Sequence, residues 1–91
     1  MKHYVYMIHS EKAKIIYKGY SLNPIERLRQ HNNNESKFTS NKGEWKLIFV
    51  QEFETKTQAL KREKQLKRAN SDYLKWCIEQ PFNIVSNFIE K

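Results

Sequence analysis

Apolar and polar positions alternate along three stretches of the chain and recur with helical spacing along three others. From His3 to Ser10, Tyr4, Tyr6 and Ile8 alternate with His3, Val5 and Met7, the period of a strand rich in β-branched and aromatic residues. The polar run SEKAK breaks the pattern, and Ile15–Tyr20 resumes it as a second strand, antiparallel to the first. A tight hairpin places Tyr6 and Tyr17 nearly opposite each other on one face. Asn23, Pro24 and Glu26 then give a cap, a first-turn proline and a capping-box acid. They open a helix whose buried side is read as Ile25 and Leu28, and which ends in the turn-forming HNNNES. WKLIFVQEF (45–53) is a third strand. A second capping-box pattern, Thr55 to Gln58, starts a helix of about a dozen residues with Ala59, Leu60 and Leu66 facing inward. SDYLKWCIEQ (71–80) reads as a third helix that buries Tyr73, Trp76, Cys77 and Ile78 and stops at Pro81. The order β-β-α-β-α-α predicts an α+β domain, a small three-stranded antiparallel sheet flanked by helices. At 91 residues the whole chain, 1–91, is read as one domain with a C-terminal extension from about residue 81.

Charge changes this picture more than composition does. The chain carries a formal +7, and Lys56, Lys61, Arg62, Lys64, Lys67 and Arg68 crowd into one segment while Arg27 and Arg29 share another. A basic small domain gains from meeting a polyanion, because each neutralised phosphate releases a condensed counterion. Cys77 is the only cysteine, which excludes an intrachain disulfide and a multi-thiolate zinc site. No apolar run approaches the length of a membrane span and the first residues lack a leader pattern, so the expected setting is cytoplasmic, with no membrane partner.

Glu63, Arg27, His31 and the strand tyrosines are candidates for chemistry, each with an ordinary alternative. Glu63 lies on or beside the apolar stripe of its helix among cations. It is either the partner of Arg62, Lys67 or Arg27 in a salt bridge, or a ligand for a hard cation. Arg27 either pairs with Glu26 or Asn23 at the helix surface, or forks onto phosphate oxygens. His31, one turn on, is in isolation a solvated helix-end imidazole; beside Arg27 it can contact phosphate or move a proton. The tyrosines are expected in strands for packing alone. A phenol with a pKa of about 10 is also an awkward base at pH 7, at a cost of about 4 kcal/mol.

As an ordered set these residues resemble the GIY-YIG nuclease domain, closest to its small stand-alone bacterial members. The likeness rests on YVY (4–6), IYKG (16–19), ERLRQHN (26–32) and REKQLK (62–67), and runs from about His3 to Arg68. The resemblance implies a metal-dependent endonuclease acting on DNA, with RNA left open, using one Mg²⁺ for which Mn²⁺ can substitute. Tyr6 then stands at the position of the general base and Tyr17 at that of the tyrosine orienting the attacking water. Arg27 stands at the position of the arginine clamping the scissile phosphate, His31 at an auxiliary position, and Glu63 at that of the single metal ligand. Lys18, Gly19, Arg29, Lys67 and Asn70 are the further candidate nucleic-acid contacts, Asn70 as the asparagine near the domain's end. Two departures stand out: Tyr4 replaces the family glycine, and Lys18 replaces the isoleucine of the second motif. On its strand Lys18 points away from the Tyr17 and Gly19 face, so its stem must snorkel along the packed side. Two other readings use the same chain: a nucleic-acid-binding module that does not cut, and a protein-interaction domain docking through the apolar Phe82–Ile89 tail.

Overall fold

The computed structural model describes residues 1–89, so the last two residues of the expected extension lie outside the described range. Strands β1 (His3–Ser10), β2 (Ile15–Ser21) and β3 (Trp45–Phe53) form one antiparallel sheet in the order β2-β1-β3, which places β1 at its centre. Helices α1 (Pro24–Asn32), α2 (Lys56–Lys67) and α3 (Ser71–Ile78) complete the expected α+β order, and a short 3₁₀ turn covers Val85–Asn87.

Alternation along β1 divides the core between the two faces of the sheet. Val5 and Met7, with Phe49, pack under Ala59 and Leu66 of α2 and Leu74 and Cys77 of α3. Tyr6 and Ile8, with Trp45, Leu47 and Val50, pack against Leu28 of α1 and the tail residues Ile84, Val85 and Phe88. Most of the apolar tail is therefore consumed internally, leaving little of it as a docking surface. Leu47 and Val50 share a face although they are three positions apart, an odd offset that regular alternation would put on opposite faces. The pairing of β1 with β3 slips between Met7 and Ile8, and the extra residue, Ile48, absorbs the change of phase.

Helix starts follow their caps. Asn23 accepts from the Glu26 amide, and Thr55 with Gln58 forms a complete capping box. At Asn23 only half of the box forms, because the Glu26 carboxylate is drawn to Arg29 and Gln30 instead. Several inward positions differ from the helical-spacing expectation. Ile25, Leu60 and Trp76 are 43%, 40% and 49% exposed, while Pro24, His31 and Leu74 are buried in their place. On helices this short, a rotation of half a residue exchanges one flank of the apolar stripe for the other. α3 also ends at Ile78, two residues before the expected stop.

Arg62 is a packing residue that spacing did not reveal. It donates to Gln51 at 3.0 Å and to the Tyr73 hydroxyl at 2.9 Å, and its guanidinium lies over the rings of Tyr73 and Phe82. It thus ties α2 to β3, α3 and the tail, while the neighbouring Glu63 pairs with Lys67 instead.

Candidate active site

The site begins at the centre of the sheet. Tyr6 of β1 pairs with Gly19 of β2, and Tyr17 pairs with Ile8. The two phenols are therefore diagonal neighbours on one face, two residues away from the direct opposition expected. Space over Gly19 is what admits the Tyr6 ring: a Cβ there would lie 2.5 Å from the phenol Cζ and Oη atoms.

From α1, His31 meets both rings, with centroids 5.9 Å from Tyr6 and 5.1 Å from Tyr17. It is fully buried, which corrects the expectation of a solvated helix-end imidazole. Burial is sustained by two hydrogen bonds, Nε2 with the Tyr6 hydroxyl at 2.9 Å and Nδ1 with Thr39 Oγ1 at 2.8 Å. Thr39 is itself fully buried and reaches the Ser36 carbonyl at 3.3 Å, which can only accept. One arrangement satisfies every contact: Thr39 donates to Ser36, His31 Nδ1–H donates to Thr39, and the Tyr6 hydroxyl donates to His31 Nε2. The imidazole is neutral, with its free lone pair directed at the Tyr6 proton.

Electrostatics agree with that assignment. Burial, followed by the positive charge of Arg27, holds the His31 pKa down to about 4. The Tyr6 phenol is pushed up to about 12, chiefly by burial; Arg27 pulls against this, while Tyr17 and Glu63 add to it. Arg27, Tyr17 and Glu63 thus all act on the one proton of Tyr6. At pH 7 the Tyr6 phenolate costs about 7 kcal/mol, and the neutral imidazole beside it costs nothing to prepare.

Arg27 is freed for this position by its neighbours. Glu26 is engaged by Arg29 at 2.6 Å, and the Asn23 side chain by the Glu26 amide, so neither pairs with Arg27. Half-buried, Arg27 donates to Gln30 one turn along the helix. Glu63 comes from α2, in the opposite layer. Its side chain is 18% exposed and its ion pair is with Lys67 at 3.3 Å, one of the ordinary partners anticipated.

Around the exposed edge of β2, Ile16, Tyr17, Lys18, Phe38 and Lys67 line a cavity of about 200 Å³. Lys18 lies on the α2 side of the sheet, opposite Met7, with its ammonium 3.3 Å from the Ile16 carbonyl. Burial, and then Lys67 nearby, lower its pKa. Two candidates stand elsewhere. Arg29 is exposed and held by Glu26 and Glu35. Asn70 caps α3 through the Tyr73 amide and borders a separate cavity of about 700 Å³ with Lys61, Lys64, Arg68 and Tyr73. Thr39, Gln30 and Phe38 join the site without any signal in the sequence pattern. Among the described residues no group of three or more His, Cys, Asp or Glu side chains could hold a metal ion, and no helix is long and apolar enough to cross a membrane.

A histidine kept neutral by burial links folding to acidity. Its folded pKa lies below the unfolded value near 6.5, so the unfolded chain binds more protons between pH 6.5 and 4, and stability falls as pH drops through that window. The expected loss is about 3 kcal/mol at pH 4. Urea unfolding of wild type and His31→Gln across pH 4–7 measures it; equal pH slopes for the two would exclude His31 as the source.

Comparison with known proteins identifies the family and the fold. Residues 2–75 match the family model of the GIY-YIG catalytic domain. A UPF0213 protein of Staphylococcus saprophyticus is 34% identical over 67 residues, covering 72% of this chain and 80% of that protein. A structure-specific endonuclease subunit SLX1 homolog of Giardia intestinalis is 43% identical over 58 residues, covering 59% of this chain but 16% of that much longer protein. In fold, the chain is similar to the solution structure of a UPF0213 protein from Bacillus halodurans, with a TM-score of 0.58 at 22% identity over 97% of this chain and 94% of that one. Matched along most of its length, and with the tyrosine hairpin and arginine helix brought together, the chain belongs to the GIY-YIG catalytic domain family.

Proposed function

We propose that this domain is a metal-dependent endonuclease that hydrolyses a phosphodiester bond in DNA. The observation carrying the proposal is the buried Tyr6–His31–Thr39 chain, placed where Arg27, Tyr17 and Glu63 all act on the Tyr6 proton.

The water is activated through that chain. As its oxygen attacks phosphorus in line, a water proton passes to the Tyr6 oxygen while the Tyr6 proton passes to His31 Nε2. No free phenolate forms, which avoids the preparatory cost of about 7 kcal/mol. The weak basicity of His31 is offset as negative charge builds on the neighbouring phosphate. Thr39 holds the tautomer and Tyr17 orients the water. Arg27 supplies fixed positive charge to the non-bridging oxygens. The bond to the 3′-oxygen breaks, that oxygen takes a proton from solvent, and a 5′-phosphate and a 3′-hydroxyl result.

Glu63 is the residue that would hold the divalent ion. A single carboxylate with waters and substrate phosphate suits Mg²⁺, and Mn²⁺ shares that oxygen-ligand preference. The donor set fits: the carboxylate is mostly buried, and its partner Lys67 is a half-exposed side chain that can swing away. When bound, such an ion supplies charge neutralisation at the phosphate and the leaving oxygen. Incubating the protein with end-labelled duplex, flapped and single-stranded DNA and with RNA, in Mg²⁺, Mn²⁺ or EDTA, tests the reading. Cleavage that requires the ion is expected; salt-sensitive binding without cleavage in any metal would overturn it in favour of a binding module.

A further inference from the structure

Among the exposed apolar side chains, Phe38 has surroundings that call for a ligand. It sits in the polar loop SKFTSNK (36–42), 56% exposed. Its ring leans on Tyr17, with centroids 5.5 Å apart at 32°, and the Lys42 ammonium lies 5.3 Å from its centre. It also lines the β2-edge cavity with Tyr17, Lys18 and Lys67. More than half of this aromatic side chain is thus open to solvent, against a candidate active-site tyrosine and among three lysines, of which Lys42 lies over the ring on a long, flexible stem.

The loop holds it there firmly. Thr39, next in sequence, is fully buried: its hydroxyl accepts from His31 and its carbonyl accepts from the Trp45 indole N–H at 3.1 Å. Just beyond Thr39 the Ser40 hydroxyl donates to the Asn34 carbonyl, and the Asn41 amide donates to the Asn34 side chain at 3.0 Å. A ring fixed before its ligand arrives loses little entropy on binding.

We propose that Phe38 is a stacking platform for one unpaired nucleobase next to the scissile phosphate, so that the preferred substrates are single-stranded, or carry unpaired nucleotides, at the cut. Every nucleobase has a π-face, and stacking on an aromatic side chain tolerates sequence. A paired base inside a duplex has both faces covered and cannot use the platform. Lysines that flank an open ring are the companions such a base needs, since its own phosphate and the next one must be neutralised where the strand turns. The cavity beside the ring, about 200 Å³, has room for one planar ring system. The inference rests on the reading of this site as one that holds a phosphodiester, and adds the state of the strand it takes.

The test is equilibrium binding in EDTA, read by anisotropy and by 2-aminopurine fluorescence, on single-stranded DNA, single-stranded RNA and blunt duplex DNA. Phe38→Ala is expected to weaken single-strand binding by about 5- to 150-fold, the range for one lost base–aromatic stack, with duplex binding changed less than about twofold. Phe38→Trp is expected to retain single-strand binding. The same Phe38 dependence on DNA or RNA supports the platform, and the tighter of the two identifies the strand. Unchanged single-strand binding by Phe38→Ala, an equal loss on duplex, or no single-strand binding by wild type overturns it. Binding does not need hydrolysis, so the two readings fail separately. A Phe38-dependent wild type that never cuts sinks the nuclease alone, and a cutting enzyme indifferent to Phe38 sinks the platform alone.

Discussion

Glu63→Gln is expected to reduce Mg²⁺-dependent cleavage at least about a hundredfold while leaving the melting temperature within a few degrees of wild type. Glutamine keeps the volume of a side chain that is 18% exposed, and the interaction lost is one ion pair with the half-exposed Lys67. Such a pair contributes below about 1 kcal/mol, so folding survives. What disappears is the anionic oxygen of the proposed ion site. Paramagnetic broadening of neighbouring amides by Mn²⁺ reports that loss without any turnover. Arg27→Ala is expected to fall in cleavage by about 10²–10³-fold while retaining Mn²⁺ broadening, because it removes charge at the phosphate rather than the ion's ligand. A folded Glu63→Gln that cuts at the wild-type rate would remove Glu63 from the chemistry.

Gly19→Ala carries the second large effect, and it acts through space. The added methyl would lie 2.5 Å from both Cζ and Oη of Tyr6. That ring is 1% exposed and its hydroxyl is bonded to His31, so it cannot swing into solvent to make room. Either the β1–β2 hairpin spreads or the phenol shifts. Overpacking of this kind costs about 1–3 kcal/mol. Displacing a reacting group by about 1 Å costs on the order of 100-fold in rate. Both are expected together: a lower midpoint in urea, and cleavage lost beyond what the folded fraction explains. An alanine variant with wild-type stability and rate would mean that Tyr6 has freedom the packing denies it.

How far the sequence revealed this depended on whether a residue's role is local. Strand and helix order followed from alternation and caps, because Asn23–Pro24 and Thr55–Gln58 fix helix starts through bonds made within one turn. Which flank of α1 is buried did not follow. Ile25 is the more apolar choice, yet His31 lies inside, because Tyr6 and Thr39 satisfy both its nitrogens from other segments. Such partners lie 25 and 8 residues away, and no periodicity encodes them. The same limit hid Thr39, Phe38 and the packing role of Arg62. Pairing register failed by two residues: the loop between β1 and β2 carries Lys14 in a left-handed conformation, φ 58°, with no glycine or asparagine there to announce it. Tyr6, Tyr17, Arg27 and Glu63 stand out as candidates only as an ordered set, since each alone has a commoner structural use.

The tail leaves the sheet accessible from one side. The Val50 amide donates to Asn83 Oδ1, the Val50 carbonyl accepts from the Ile84 amide at 2.8 Å, and the Asn83 amide group reaches the Ile48 carbonyl. At these rungs a foreign strand arriving at β3 finds its hydrogen-bonding positions already taken. At the opposite border a lysine ammonium guards β2, and a cation at an edge discourages fibre-like stacking of one molecule on the next. The same charge is welcoming to a polyphosphate chain. One border is thus closed off by the protein's own tail, while the other carries a cation that disfavours the pairing of like edges.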